Sequence, residues 1–395
     1  MKRRILYVND VGRISGAEES LWQLINALDR SRFTPLAAVP ASGGLADLLR
    51  ANNCPVVPIP ELRLRRTFSP ISLAAFGVQW MRASCAIGQM ARDWNVSLIH
   101  SNSTTAHVIG TMAATFSRTP ALWHVRDMQS IPGLQLLAAH ATRGVVYCSG
   151  AARKQLPLRD LSGAVRCIVH NGIDVAEFRE DAEPGSFRRE LGCGAETTLI
   201  LMVAQMVPWK RHEDLIRATQ MLTEEGERTK LILAGEDMFG EHQAYVNKLR
   251  RLVDEFDLGD NVIFTGYRRD IASLVSDCDL MVIPSRNEPF GRVALEAMAL
   301  EKPVVASNDA GLAEVVEDGE TGLLVPPEDP RTLSRAIKRL ITSPQLARRM
   351  GMAGYDRVRC EFDVIQHARK IEQMYETVIQ SHYRDKEIGK CLNPT

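Results

Sequence analysis

Short apolar runs alternate with amphipathic stretches along most of the chain. Ile5-Leu-Tyr-Val8, Pro35-Leu-Ala-Ala-Val39 and Val56-Val-Pro-Ile59 have the length and composition of buried strands. Val96–His100, Ala121–His124 and Gly144–Cys148 continue the series. Between the first two, Glu18–Leu28 puts Leu21, Leu24, Ile25 and Leu28 on one helical face. Strands that are apolar throughout, separated by helices, predict a parallel sheet covered on both sides. A polar stretch with Gly and Pro, about Glu177 to Gly194, reads as a linker. The alternation then restarts. Thr198–Val203, Lys230–Gly235, Val262–Phe264, Leu280–Ile283, Pro303–Ala306 and Gly322–Val325 read as strands. His212–Leu222, Gln243–Glu255 and Pro330–Ile341 read as helices. A last long helix is predicted over Val364–Gln380, with a polar, frayed tail from Ser381.

The expected architecture is α/β, with two Rossmann-like domains facing a cleft. Their spans are 1–180 and 181–363, followed by a C-terminal helix and tail over 364–395. Open sheets of this kind bind ligands beyond the C-terminal ends of their strands. A length of 395 residues suits two domains, and 45% hydrophobic with 24% charged residues is ordinary globular composition. No uninterrupted apolar run reaches the roughly 18 residues a spanning helix needs. The N-terminus runs straight into a strand pattern, without a signal-peptide core. The eight cysteines are scattered, with no Cys-x-x-Cys pair, which favours a reducing compartment and disfavours zinc. A cytoplasmic protein is expected.

The net charge of zero hides an asymmetry. Residues 1–170 carry 19 Lys/Arg against 9 Asp/Glu, and the remainder 29 against 39. A basic first half suggests an anionic partner: nucleic acid, anionic lipid or a phosphorylated acceptor. Leu62-Arg-Leu-Arg-Arg-Thr-Phe68, followed by Ile71, Leu73, Phe76 and Trp80, mixes cations with large apolar groups. Two readings stay open there. One is an interfacial element on anionic lipid; the other is a basic loop feeding a core helix.

The densest chemistry lies in Glu288-Pro-Phe-Gly-Arg-Val-Ala-Leu-Glu296. Asp279–Ser285 before it reads as a strand and Val293–Leu300 after it as a helix, so Glu288 falls in the turn. The free amides of a helix start attract anions, which makes Phe290, Gly291 and Arg292 candidates. A carboxylate beside such a site points to a ligand that is phosphate at one end and hydroxyl-rich at the other. A nucleotide-sugar fits. Ser15-Gly16-Ala17-Glu18 forms a small-residue turn between strand and helix, where backbone at Gly16 can approach a ligand closely. His124 and His100 each end a strand. The one Asp-x-Asp, Asp277-Cys-Asp279, enters a strand at its N-terminal end, away from the expected cleft.

Several motifs together resemble the family-4 retaining glycosyltransferases. They are Asn171-Gly-Ile-Asp174, Val207-Pro-Trp-Lys210-Arg-His, Ala234-Gly235-Glu236, Phe264-Thr-Gly266-Tyr-Arg, the Glu288–Glu296 element, Ala310-Gly311-Leu-Ala-Glu314 and Asp318-Gly-Glu-Thr-Gly322. The resemblance spans most of the chain and implies a GT-B fold, the last helix crossing back to the first domain. It implies Glu288 on the donor sugar, Glu296 on the ribose, Lys210 on the diphosphate, and His124 near the donor sugar. Tyr267 and Arg268 would flank the base, and Arg126 and His100 the acceptor. The chain departs from the pattern at Ala204-Gln205, where the family's strand ends in Gly-Arg. Gln205 can donate to a phosphate oxygen but brings no charge.

The expected reaction moves a sugar from a nucleotide-diphosphate-sugar to a hydroxyl of a glycan or lipid-linked acceptor. The expectation includes retained configuration, no metal and no other cofactor, a role in cell-surface polysaccharide or glycolipid synthesis, and association with the inner membrane face. Nucleic acid is not an expected partner. A nucleotide-sugar epimerase is one rival, and it requires additional acid/base carboxylates. A dehydrogenase is disfavoured because no Gly-x-Gly-x-x-Gly follows a strand. A non-catalytic sugar-nucleotide-binding protein of the same fold is kept in play by Gln205.

Overall fold

The structure, a computed structural model, describes residues 2–61, 70–128, 141–156, 161 and 163–392, with side chains at all of these except 70–76 and 385–392. The basic stretch Leu62–Phe68 lies outside the described residues. The chain divides into two compact units, residues 1–172 with 364–395, and residues 173–363.

Unit 1 runs β1 (Arg3–Val8), α1 (Gly16–Asn26), β2 (Phe33–Pro40), α2 (Leu45–Ala51), β3 (Val56–Ile59), α3 (Pro70–Asp93), β4 (Leu98–Ser101), α4 (Thr104–Ser117), β5 (Ala121–Val125), β6 (Thr142–Tyr147), α5 (Gly150–Gln155) and β7 (Val165–Ile168). Its seven-stranded parallel sheet has the order β3-β2-β1-β4-β5-β6-β7. Both faces are apolar, because side chains alternate along each strand. In β1, Ile5 and Tyr7 enter the cluster under α1 and α2, while Leu6 and Val8 enter the one under α3 and α4. Trp80 belongs to that second cluster and is buried, so it is a core residue of α3.

Unit 2 runs α6 (Val175–Glu180), α7 (Ser186–Glu190), β8 (Thr198–Val203), α8 (His212–Glu224), β9 (Thr229–Ala234), α9 (Gln243–Glu255), β10 (Val262–Gly266), α10 (Ile271–Asp277), β11 (Leu280–Ile283), α11 (Arg292–Ala299), β12 (Val304–Ser307), α12 (Leu312–Val315), β13 (Gly322–Val325), α13 (Pro330–Ile341) and α14 (Pro344–Glu361). Its six-stranded parallel sheet has the order β10-β9-β8-β11-β12-β13. The final helix, α15 (Val364–Leu392), belongs to unit 1. It lies against β6 so closely that a Cβ at Gly144 would meet Val378 Cγ2 at 2.6 Å.

Three expectations change. The stretch 177–194 is no linker: it holds α6 and α7, and Phe187 is buried. Asp277 fixes α7 by accepting the N–H groups of Gly185, Phe187 and Arg188. The unit boundary falls at 172/173 rather than 180, since Ile173 N–H donates to Phe362 O and Arg179 reaches Ala299 O and Glu301. The last helix continues to Leu392, through most of the stretch predicted to fray.

Candidate functional site

In each sheet the connections diverge between two neighbouring strands: β1 and β4 in unit 1, β8 and β11 in unit 2. Loops leaving such a switch point part from each other and open a crevice at the strand C-termini. In unit 2 these are the loops that carry Lys210 and Glu288.

The β8–α8 loop turns through a 3-10 segment, Pro208–Lys210, and a left-handed Arg211 (φ 59°) before α8 begins. The β11–α11 loop runs beside it, Arg286 N–H donating to Trp209 O at 2.7 Å. Lys210 Nζ lies 2.6 Å from Glu288 Oε2, with the side chains 21% and 12% exposed. The Glu288 turn is held on its other side by the β12–α12 loop. Asn287 N–H donates to Asp309 Oδ2, and Gly311 N–H to Glu288 O. A Cβ at Gly311 would lie 2.3 Å from Pro289 O, so glycine is required for this approach. Gly291, at φ +93°, opens α11. On that helix Arg292 Nε donates to Glu296 Oε1 at 3.1 Å, and both residues are buried.

The remaining predicted donor residues separate into two groups. Gln205 stands two residues after β8, its Nε2 3.8 Å from Met238 Sδ. Tyr267 is half-buried after β10. Phe290 has a buried ring, edge-on to Phe362 at 6.0 Å, so its side chain is core. The Arg268 guanidinium binds both carboxylate oxygens of Glu190 at 2.8 and 2.9 Å and also Asp270. Those contacts fold it onto α7 as a clamp. The Asp-x-Asp carboxylates are structural too. Asp277 caps α7, and Asp279 pairs with Arg188 and accepts Leu199 N–H.

Unit 1 carries a buried polar network at its own switch point. Asn102 Nδ2 donates to Asn9 Oδ1, and Ser103 Oγ to Asp10 Oδ1 at 2.6 Å. Arg126 is 8% exposed and donates to Asn102 Oδ1 and Asn171 Oδ1, tying together the ends of β4, β5 and β7. Asp127 accepts from Thr104 N–H and Oγ1. Burial raises the Asp10 carboxyl to about 7, opposed by Ser103 and aided by nearby Glu18 and Asp127. Glu18 closes a capping box with Ser15 and accepts from Asn9, so the exposed Gly16 begins α1 next to this network. The sequence reading missed Asn9, Asp10 and Asn102. The available signal was an Asn-Asp pair directly after the first strand.

His100 and His124 lie deeper. Both are fully buried. His100 Nδ1 is 2.7 Å from Tyr375 Oη, which meets Tyr7 Oη at 2.9 Å, so His100 helps seat α15. The His124 ring lies 5.3 Å from His100 and 6.1 Å from His367. Neither of its nitrogens has a hydrogen-bond partner among the described residues. Burial holds both rings neutral, well below the usual histidine range.

Two parallel doubly wound sheets, with loops spread at each switch point, define the GT-B glycosyltransferase fold. Anabaena HepE, solved with UDP-glucose, superimposes with a TM-score of 0.80 and 27% identity, covering 95% of this chain and 99% of that one. Sucrose-phosphate synthase of Thermosynechococcus elongatus shares the fold at a TM-score of 0.77 and 22% identity, covering 96% and 100% of the two chains. Residues 186–357, which contain Lys210, Glu288 and Glu296, match the family model Glycosyl transferases group 1. Unit 2 therefore carries a group 1 glycosyltransferase domain. The chain is also similar to D-inositol 3-phosphate glycosyltransferases. That of Thermobifida fusca is 30% identical over 272 residues, 67% of this chain and 61% of the relative. That of Kineococcus radiotolerans is 32% identical over 282 residues, 67% and 62%. The matched part thus spans about three-fifths of these relatives' own length.

Proposed function

We propose that this protein is a retaining glycosyltransferase that takes a nucleoside-diphosphate sugar, of the UDP-sugar class, as donor. The observation that carries the reading is the Lys210–Glu288 pair across the unit 2 switch point, with Glu296 on the helix that follows. HepE, similar over nearly the whole chain, was solved with UDP and glucose. The donor diphosphate recruits Lys210 as a point charge, together with the amides at the start of α11. Glu288 is then released to accept hydrogen bonds from sugar hydroxyls, and Glu296 from the ribose. Gln205 adds a neutral donor. In unit 1 the Arg126 network serves the acceptor, while His124, fully buried, offers no exposed nitrogen to a sugar.

The acceptor hydroxyl attacks the anomeric carbon from the face the diphosphate leaves. The carbon–oxygen bond to the β-phosphate breaks as the new one forms, and a phosphate oxygen takes the acceptor proton. Configuration is retained, and the protein acts by positioning and electrostatics. No metal step is needed in this scheme, because Lys210 and backbone amides face the developing charge. The acceptor is a hydroxyl of a glycan or lipid-linked glycan in surface-polymer synthesis, and the basic first half holds the protein at an anionic membrane face. No helix among the described residues is long and apolar enough to cross a membrane. A phosphorylated polyol is the second acceptor reading, on the names of the curated relatives.

Thermal shift with UDP, GDP and ADP tests donor binding, and UDP release with each acceptor class tests transfer. Stabilisation by UDP and acceptor-dependent release from wild type but not from Glu288→Ala is the expected result. Failure of every nucleotide to stabilise the fold refutes the reading.

A further inference from the structure

The loops bearing Lys210 and Glu288 are joined again, beyond the pair itself and the backbone bond from Arg286 to Trp209. Glu328 lies in the β13–α13 loop, one residue before the Asp329 cap of α13. Its Oε1 is 3.3 Å from Arg211 Nη1, and its Oε2 is 3.0 Å from Arg286 Nη1. Arg211 directly follows Lys210. Arg286 precedes Glu288 by two residues and donates its amide to Trp209, which directly precedes Lys210. One carboxylate thus spans both loops from a third.

The backbone marks the same place. Glu328 has φ 61°, in the left-handed region where a side chain is unfavourable and glycine is the low-energy choice. Arg211, Asn287 and Ala310, on the neighbouring loops, also have positive φ. Non-glycine residues persist in such conformations where the surroundings over-determine them, and they gather at ligand sites. What Glu328 adds over a glycine is a side chain that ends in a carboxylate. The two arginines are what that carboxylate meets.

We infer that Glu328 is a positioning residue for the donor site, holding the Lys210 and Glu288 loops at their working separation. The inference rests on the donor-binding reading of those two side chains. When a donor diphosphate draws Lys210 from Glu288, the direct pair no longer spans the loops. The Glu328 bridge persists, because neither arginine is given to the donor. It preserves the spacing while the pair opens.

The test compares Glu328→Gly, Arg286→Ala and the double variant. Glu328→Gly removes the carboxylate and the left-handed penalty together, so its thermal midpoint should equal or exceed wild type. Its KM for a UDP-sugar should rise about three- to tenfold, and in the Arg286→Ala background the same change should add less than twofold. Amide exchange at Arg286 should quicken in Glu328→Gly even without nucleotide. A KM within twofold of wild type, multiplicative effects, or a lowered midpoint with activity lost in proportion would overturn the inference. Wild type that binds no nucleotide sinks the donor reading instead, and the exchange measurement still decides whether Glu328 joins the loops.

Discussion

Lys210 Nζ and Glu288 Oε2 stand 2.6 Å apart on loops from adjacent strands of the unit 2 sheet, joined across 78 residues of sequence. Each neutralises the other in the ligand-free chain. Lys210→Ala should therefore act twice. It leaves Glu288 without its partner in a site that is mostly shielded, at a cost of about 1–3 kcal/mol in stability. It also removes the cation proposed to meet the donor diphosphate, which should lower turnover about 10²-fold or more. Lys210→Arg should restore stability better than turnover, because a planar fork does not replace a point charge in place. Steady-state UDP release and denaturant unfolding measure the two. Turnover within twofold of wild type in Lys210→Ala would remove Lys210 from the site.

Gln205 offers a gain-of-function test. Its Nε2 faces Met238 Sδ and brings no charge to the end of β8. Gln205→Arg should tighten UDP binding about tenfold, the scale of one charge-assisted hydrogen bond. Calorimetric titration of UDP reads this directly. Unchanged affinity would place the diphosphate elsewhere. Transfer seen only in the arginine variant would instead favour a non-catalytic binding protein.

Gly311 supports the Glu288 turn through space that only hydrogen can occupy. Gly311→Ala puts a methyl group 2.3 Å from Pro289 O and 2.6 Å from Phe290 Cα, both backbone atoms. The turn must shift, so the variant should lose about 1–3 kcal/mol and weaken donor binding together. Gly259→Ala, with nothing within 4 Å of the added carbon, is the control and should change neither. Equal unfolding midpoints for the two variants would contradict the close approach.

Asp10 makes unit 1 sensitive to pH. Its folded pKa is raised by burial to about 7, against a usual value of 3.8. The folded state then holds a proton that the unfolded chain has lost between about pH 4 and 7. Stability from this group is present below pH 4 and declines as pH rises through 7. Asp10→Asn keeps an acceptor for Ser103 but cannot titrate. The difference in unfolding free energy, wild type minus variant, should fall across that window by an amount on the order of a few kcal/mol. Parallel pH profiles would show that Asp10 ionises as an ordinary carboxylate.

Periodicity made the strands legible because parallel strands buried on both faces are written as continuous apolar runs. β3, β8, β11 and β13 fall where those runs predict them. Arg268 shows the limit of that legibility. Its sequence neighbourhood gives no sign of Glu190, 78 residues away, whose carboxylate holds the guanidinium. His100 lies within β4, one residue short of its end, and its contact with Tyr375 depends on a helix 275 residues later.

What the sequence determined alone was the local order: two runs of strand and helix, turns with Lys210 and Glu288 at strand ends, and Glu296 on the helix that follows. Period, turn chemistry and helix starts are properties of neighbours along the chain. Tertiary structure alone decided that Lys210 pairs with Glu288, that Arg126 locks three strand ends, and that Glu328 bridges two loops. The strand order β8–β11 brings those loops side by side, and a contact between side chains so far apart in sequence exists only once the sheet has formed.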